Sequence, residues 1–94
     1  MQDDEFEWDD NKAVANLAEH GVTFAIARDV FDDPLSVVWA DDRQHYGEDR
    51  FCLVGMSEKG LIFVAYTLRG DRIRIISARG AERYERRRYH EEKR

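Results

Sequence analysis

The chain has 94 residues, of which 43% are hydrophobic and 37% charged, and its formal net charge is −5. That length supports one modest core, so residues 1–94 read as a single domain. No apolar run approaches the roughly 20 residues needed to span a bilayer, and the acidic opening Met1-Gln2-Asp3-Asp4-Glu5 lacks the apolar stretch of a secretory signal. Membrane contact is therefore not expected. The one cysteine, Cys52, lies in an apolar strand-like run and cannot close an internal disulfide. It reads as a buried structural thiol, which fits a reducing, cytoplasmic setting. The charge is unevenly spread. Residues 1–42 hold twelve acids and two bases, a net of −10, whereas residues 43–94 hold eight acids and thirteen bases, a net of +5. A polyanion meets a basic face rather than a basic total, so nucleic acid remains a candidate partner. The opposing expectation is that the two halves neutralise each other in the fold.

Phe6-Glu7-Trp8 alternates apolar and charged residues and predicts a short first strand. Asp9 or Asp10 caps a helix that runs to about His20, with Gly21 as its stop. Its predicted apolar face holds Ala13, Leu17 and His20, flanked by Val14 and Ala18. Thr23 caps a second helix carrying Phe24, Ala27, Val30 and Phe31, which Asp32-Asp33-Pro34 ends. Strands are expected over 35–40, 51–57, 61–69 and 72–78, with a polar loop over 41–49 and tight turns at Glu58-Lys59-Gly60 and Gly70-Asp71. Strands joined by such short connections are antiparallel neighbours. A final helix starts from about Gly80. The expected fold class is α+β: a short N-terminal strand, two helices, an antiparallel four-stranded sheet and a C-terminal helix.

The last strand and the segment after it hold the residues best suited to chemistry. Alternation puts Arg72 and Arg74 on one face and Ile73 and Ile75 on the other. It breaks at Ile76, which fits a C-terminal helix folded back over the second face. Arg69 belongs beside Arg72 at the tight turn, and Arg74, Ser77 and Arg79 lie further along. In the polar loop, His45, Glu48 and Arg50 suffice for acid–base work, or for a salt bridge at the start of a strand. His20 is either a general base or a cation at a helix C-terminus. The three histidines lack metal-ligand spacing, and there is no glycine-rich phosphate loop or Gly-x-Ser-x-Gly elbow. No metal or cofactor is expected. Arg83, Arg86, Arg87 and Arg88 form either a solvated helix face paired to Glu82, Glu85, Glu91 and Glu92, or a surface for RNA or a partner. A set of arginine, hydroxyl and carboxylate suits a phosphodiester, because guanidinium stays charged and forks onto phosphate oxygens.

The ordered set Phe6-Glu7-Trp8-Asp9, Lys12, Asn16-Leu17, His20-Gly21-Val22-Thr23-Phe24, Val30-Phe31-Asp32-Asp33-Pro34, Gly47-Glu48-Asp49-Arg50, Tyr66-Thr67 and Ile73-Arg74-Ile75-Ile76-Ser77-Ala78-Arg79, continued through Glu82, Arg83 and Tyr89, resembles the BrnT toxin family. The resemblance implies a RelE-like fold and the toxin half of a type II toxin–antitoxin pair. It implies a metal-independent endoribonuclease that arrests translation, with RNA as substrate. It also implies a cognate BrnA-like antitoxin, through which alone operator DNA is bound. Under that resemblance Arg74 and Arg79 are expected to stabilise phosphate, His45 or Glu48 to act as the acid–base group, and Ser77 to position substrate. Tyr89 would stack on a base or act as an acid. The alternative is a non-catalytic binding module, or an inactive toxin homologue, whose acidic and basic halves dock a partner. A partner could instead use an apolar groove formed by Trp39, Phe51 and Phe63.

Overall fold

The structure, a computed structural model, describes residues 1–91. Strand β1 (Phe6–Glu7) leads into helices α1 (Asp10–His20) and α2 (Phe24–Asp29), and a 3-10 turn covers Val30–Asp32. Strands β2 (Val37–Ala40), β3 (Phe51–Ser57), β4 (Gly60–Arg69) and β5 (Arg72–Gly80) follow, then helix α3 (Arg83–Glu91). The helix ends form as their residues dictate. The Asp9 carboxylate accepts the N–H groups of Asn11 and Lys12, which have no partner inside the helix. Gly21 stops α1 at φ 71°, a left-handed conformation that costs glycine little, and its N–H reaches the Leu17 carbonyl. Thr23 Oγ1 accepts the Ile26 N–H at the start of α2.

Three local expectations need correction. The second helix is α-helical only to Asp29. Val30–Asp32 tightens to 3-10 geometry, and the residue before Pro34 turns extended, as the proline ring requires. The strand expected from Leu35 starts at Val37, because Asp33 draws the N–H groups of Leu35 and Ser36 into a turn. The buried side of α1 is Asn16 with half-buried Ala13, whereas Leu17 and Val14 are 48% and 71% exposed and His20 is exposed. Apolar spacing pointed to the wrong stripe because the helix docks through a polar side chain.

The sheet has five strands in the order β1-β5-β4-β3-β2. Strands β2 to β5 are antiparallel neighbours as expected, but the sheet is mixed, since β1 joins the far edge parallel to β5. Turn lengths reveal only sequential neighbours. The pairing of Phe6 with Ile73 and Glu7 with Arg74 joins residues 67 apart in the sequence. Asp3 secures this edge by accepting the N–H groups of Glu5 and Phe6 and pairing with Arg28, while its carbonyl accepts Arg72 Nε at 2.7 Å.

Between β4 and β5 the register slips. Ala65 pairs with Ser77 but Tyr66 pairs with Ile75, so Ile76 is an extra, bulged residue. Each sheet face carries its own core. Phe24, Ala27 and Val30 pack with Leu53, Ile62, Val64, Tyr66 and Ile75 on the side of α1 and α2. Ala81 and Tyr89 of the C-terminal segment pack with Val37, Cys52, Val54, Leu61 and Phe63 on the other. The final helix therefore does cover the second face. It begins later than expected, because Ala81 N–H still bonds the Leu61 carbonyl beyond the end of β5. The 3-10 turn lies so close to β3 that a Cβ on Gly55 would stand 2.8 Å from the Val30 carbonyl oxygen.

Asn16 joins the helical layer to the sheet. Its Nδ2 donates to the carbonyls of Val22 (2.9 Å) and Ala78 (2.8 Å), and its Oδ1 accepts the Ala78 N–H (3.0 Å). Asn16→Ala leaves these buried backbone groups without partners, and we expect a loss of about 3 kcal/mol in stability. Asn16→Asp should be no better, since it removes the donor from two carbonyls. Urea unfolding checks both; a loss below about 0.5 kcal/mol, the range of an ordinary surface substitution, would contradict the argument.

Candidate functional site

The bulge at Ile76 resets the pleat of β5. Without it, Ser77 and Arg79 would point away from Arg74. With it, Arg74, Ser77 and Arg79 stand opposite Thr67, Ala65 and Phe63, alternate residues of β4, and share the sheet face covered by α3. Arg72 lies opposite Arg69 on the same face by the tight turn, as expected. Arg74 is held by a carboxylate on its neighbouring strand, with Nη1 2.6 Å from Glu7 Oε2. Arg79 is held more firmly. Its two terminal nitrogens fork onto Glu85 at 2.8 and 2.9 Å, and its guanidinium lies 4.2 Å from the centroid of the Phe63 ring. The hydrogen bonds to Glu85 raise the Arg79 pKa further above its ordinary value, against the pull of burial. The Glu85 side chain is 3% exposed and also accepts the Glu82 N–H at the start of α3. One buried carboxylate thus joins the end of β5 to the beginning of α3.

The loop between β2 and β3 is organised by Asp41. Its side chain is only 1% exposed and accepts Arg43 through Nε and Nη2, both at 2.7 Å, and the Tyr46 hydroxyl at 3.1 Å. Hydrogen bonding to Arg43 outweighs burial and holds the Asp41 pKa at about 2. Beyond it, His45, Tyr46, Glu48 and Arg50 line a groove of about 750 Å³. Arg50 lies 4.1 Å from the Tyr46 ring centroid, with Nε 3.3 Å from Glu48, and Arg69 reaches the other Glu48 oxygen at 3.6 Å. His45 is exposed at the groove and makes no hydrogen bond among the described residues.

Helix α3 separates its basic cluster. Arg83, Arg86 and Arg87 are exposed, and Arg86 Nε donates to the Ala81 carbonyl. Arg88 turns inward and lies 4.3 Å from the centroid of the Trp39 ring. With Arg43, Arg79, Trp39 and Tyr84 it lines a second cleft of about 300 Å³. Of the expected carboxylate partners, Glu82 and Glu85 are engaged by Arg79, and Glu92 lies outside the described residues. Tyr89 is away from both grooves. It is 2% exposed, its hydroxyl bonds Asp33 Oδ2 at 2.7 Å, and burial with this contact pushes its pKa up to about 12. Cys52 is buried as expected, its thiol pushed up to about 11 chiefly by desolvation.

The loop groove and the arginine cleft share Ala40, Asp41 and Asp42 as a common wall. His45, Glu48 and Arg50 are thereby adjacent to the cleft that contains Arg79, while Arg74 and Ser77 lie further along the same sheet face. The apolar groove expected from Trp39, Phe51 and Phe63 does not form. Phe51 packs on Tyr66 toward α1 and α2, whereas Trp39 and Phe63 face α3. Sequence reasoning passed over Asp41, Arg43 and Tyr84 as site residues. An aspartate two residues before an arginine in a polar loop carries no signal that a fork will form.

The family model described as the ribonuclease toxin, BrnT, of type II toxin–antitoxin systems matches residues 8–85. No curated protein matches the chain. The matched span includes the loop, β5 and Glu85, and ends before Arg86. Among the described residues, no helix is long and apolar enough to cross a membrane.

Two measurements test this geometry. Arg79→Ala strips a buried carboxylate of its partner and should cost about 3 kcal/mol. Adding Glu85→Gln should recover part of that loss; strictly additive losses in the double variant would refute the coupling. The second concerns pH. Asp41 is depressed from 3.8 to about 2, so its contribution is present above the unfolded value and disappears as pH falls through the folded one. The stability advantage of wild type over Asp41→Asn should be about 1–2 kcal/mol at neutral pH, allowing for solvent around Arg43, should fall steadily below the unfolded value and should vanish only once the pH is below the folded one. A pH-independent difference between the two proteins would contradict this account.

Proposed function

The chain belongs to the BrnT family of ribonuclease toxins of type II toxin–antitoxin systems, and on that premise we propose that it is a metal-independent endoribonuclease whose cleavage of RNA inhibits translation. In this reading the whole chain acts as one cytoplasmic toxin domain. A cognate BrnA-like antitoxin neutralises it and makes the contact with operator DNA. The observation that carries the reading is the common wall between the groove of His45, Glu48 and Arg50 and the arginine cleft. It sets an acid–base pair of residue types beside fixed cations on one open surface.

The chemistry is in-line transesterification. His45 or Glu48 removes the proton from a ribose 2′-hydroxyl, whose oxygen attacks the adjacent phosphorus. The 2′-O–P bond forms, the P–O5′ bond breaks, and the leaving oxygen takes a proton from the protonated member of the pair. The products are a 2′,3′-cyclic phosphate and a 5′-hydroxyl. The phosphorane gathers negative charge on its equatorial oxygens, which Arg50 and Arg79 stabilise as preorganised cations. Arg74 and Ser77 extend the same face and orient the strand. Tyr89, pinned to Asp33, contributes by holding α3 in place. The basic surface of Arg83, Arg86 and Arg87 draws in RNA and also the acidic segment of an antitoxin.

Protein freed of antitoxin should cleave RNA in the presence of chelator and leave 2′,3′-cyclic ends. His45→Ala should slow cleavage by about a hundredfold, the usual contribution of a positioned acid or base, without altering the melting temperature. Cleavage lost to chelator and restored by magnesium would refute the mechanism. A folded protein that binds antitoxin and leaves RNA intact would instead be a docking module.

A further inference from the structure

The cleft under α3 contains three arginines, and two of them are already committed. Arg43 is forked onto Asp41 and Arg79 onto Glu85. Arg88 differs from both. It forms no hydrogen bond or ion pair among the described residues, and its Nε is buried without a partner. Trp39 lies against its guanidinium and fixes the plane of the fork. Among the described residues its terminal nitrogens have no hydrogen-bond partner, and the side chain lines the cleft. A cation that is partly desolvated, held flat by an aromatic ring and left without a carboxylate is preorganised for an incoming anion. Tyr84 stands at the mouth of the same cleft, 53% exposed, with its ring centroid 6.3 Å from that of Trp39. It offers an accessible aromatic face within reach of whatever anion Arg88 holds. Asp42 and Glu82 also line the cleft, but both are exposed, so water screens them more than it screens Arg88.

We propose that Arg88 and Tyr84 form a subsite for single-stranded RNA, with Arg88 gripping one backbone phosphate and Tyr84 stacking a neighbouring base, next to the loop that carries His45. The proposal rests on the ribonuclease reading and adds to it a place where the strand is held away from the bond that is cut. Arg88 lies beyond the span matched by the family model, so the match assigns it no role. A phosphodiester fits this cleft better than a protein carboxylate does. The phosphate and the base arrive together, and the cleft presents one group suited to each.

The test uses antitoxin-free protein and a single-stranded RNA carrying 2′-O-methyl groups throughout, which binds but cannot be cleaved. Trp39 reports binding by fluorescence, and Trp8, packed on Phe24 across the sheet, serves as an internal reference. Arg88→Gln should weaken binding about tenfold, the effect of losing one charge-assisted contact, and should lower the salt dependence by about 0.7 in log–log slope, as for one phosphate on a single strand. Arg88→Lys should keep the slope and lose part of the affinity. Tyr84→Ala should weaken binding about tenfold with the slope unchanged. The exposed Lys59→Gln, in the turn between β3 and β4, serves as the control for diffuse charge, and an equal effect from it would overturn the proposal. So would wild-type affinity and slope in folded Arg88→Gln, or a loss by that variant of antitoxin binding alone. If Arg88→Gln fails to fold, Arg88→Lys decides: a lowered slope in that charge-preserving variant would overturn the proposal. Arg88-dependent binding by a protein that never cleaves RNA would sink the nuclease reading and leave the subsite standing. Cleavage without any dependence on Arg88 would do the reverse.

Discussion

The contact between the Asn16 amide and the backbone of Ala78 governs the arrangement of this protein. Strand β1 is only two residues long and covers β5 only from Ile73 to Arg74. Further along, the Ala78 N–H and carbonyl would be buried at a sheet edge with no strand to pair with. A side-chain amide has the same donor and acceptor as a peptide group, and Asn16 takes the place of the missing strand. The contact binds α1 to β5 and sets the depth at which the helical layer meets the sheet. It also explains why α1 turns Val14 and Leu17 to solvent. With β5 gripped by β4 on one side and by β1 and Asn16 on the other, the bulge at Ile76 is locked in register.

Once the bulge is fixed, the position of α3 follows. The helix is fastened near its start by Glu85 on Arg79 and near its end by Tyr89 on Asp33. Asp33 in turn accepts the N–H groups of Leu35 and Met56, so this second fastening reaches the turn before β2 and the end of β3. Between the fastenings, Arg88 is pressed onto Trp39 and the cleft opens toward Asp41. The first fastening limits what Arg79 can do. A guanidinium that neutralises a buried carboxylate is costly to remove, so loss of activity on its substitution does not by itself identify a catalytic group.

The charge division along the chain persists into the folded state. Among the described residues, only Glu7–Arg74 and Asp41–Arg43 join the acidic and basic halves as ion pairs. Arg28–Asp3 stays within the first half, and the pairs of Glu48, Glu82 and Glu85 stay within the second. Mutual neutralisation is thus a minor use of the acids. Several serve backbone groups instead, as Asp9 does at the start of α1 and Asp33 in the turn before β2. What remains is a protein with a basic helix on one side and an acidic helical layer on the other, in which long-range steering of a polyanion depends on orientation.

The sequence by itself determined whatever depends on near neighbours. The caps Asp9 and Thr23, the stop at Gly21, the loop over 41–49 and the strand over 51–57 all stand as expected, because a cap, a turn and an alternating pattern are each written within a few residues. The order of motifs was also legible, and with it the family. Tertiary structure decided the remainder. The parallel docking of β1 and the docking of α1 through a polar residue depend on partners more than sixty residues away, and the reset of β5 that unites Arg74 with Ser77 depends on its register against β4. The fates of the arginines were equally hidden. Arg79 and Arg88 lie nine positions apart in a basic run, yet one is bound to a buried carboxylate and the other lies on a tryptophan with no carboxylate partner among the described residues. Side-chain chemistry shows what an arginine can bind. Only the packed sheet and helix determine which carboxylate or ring comes within reach.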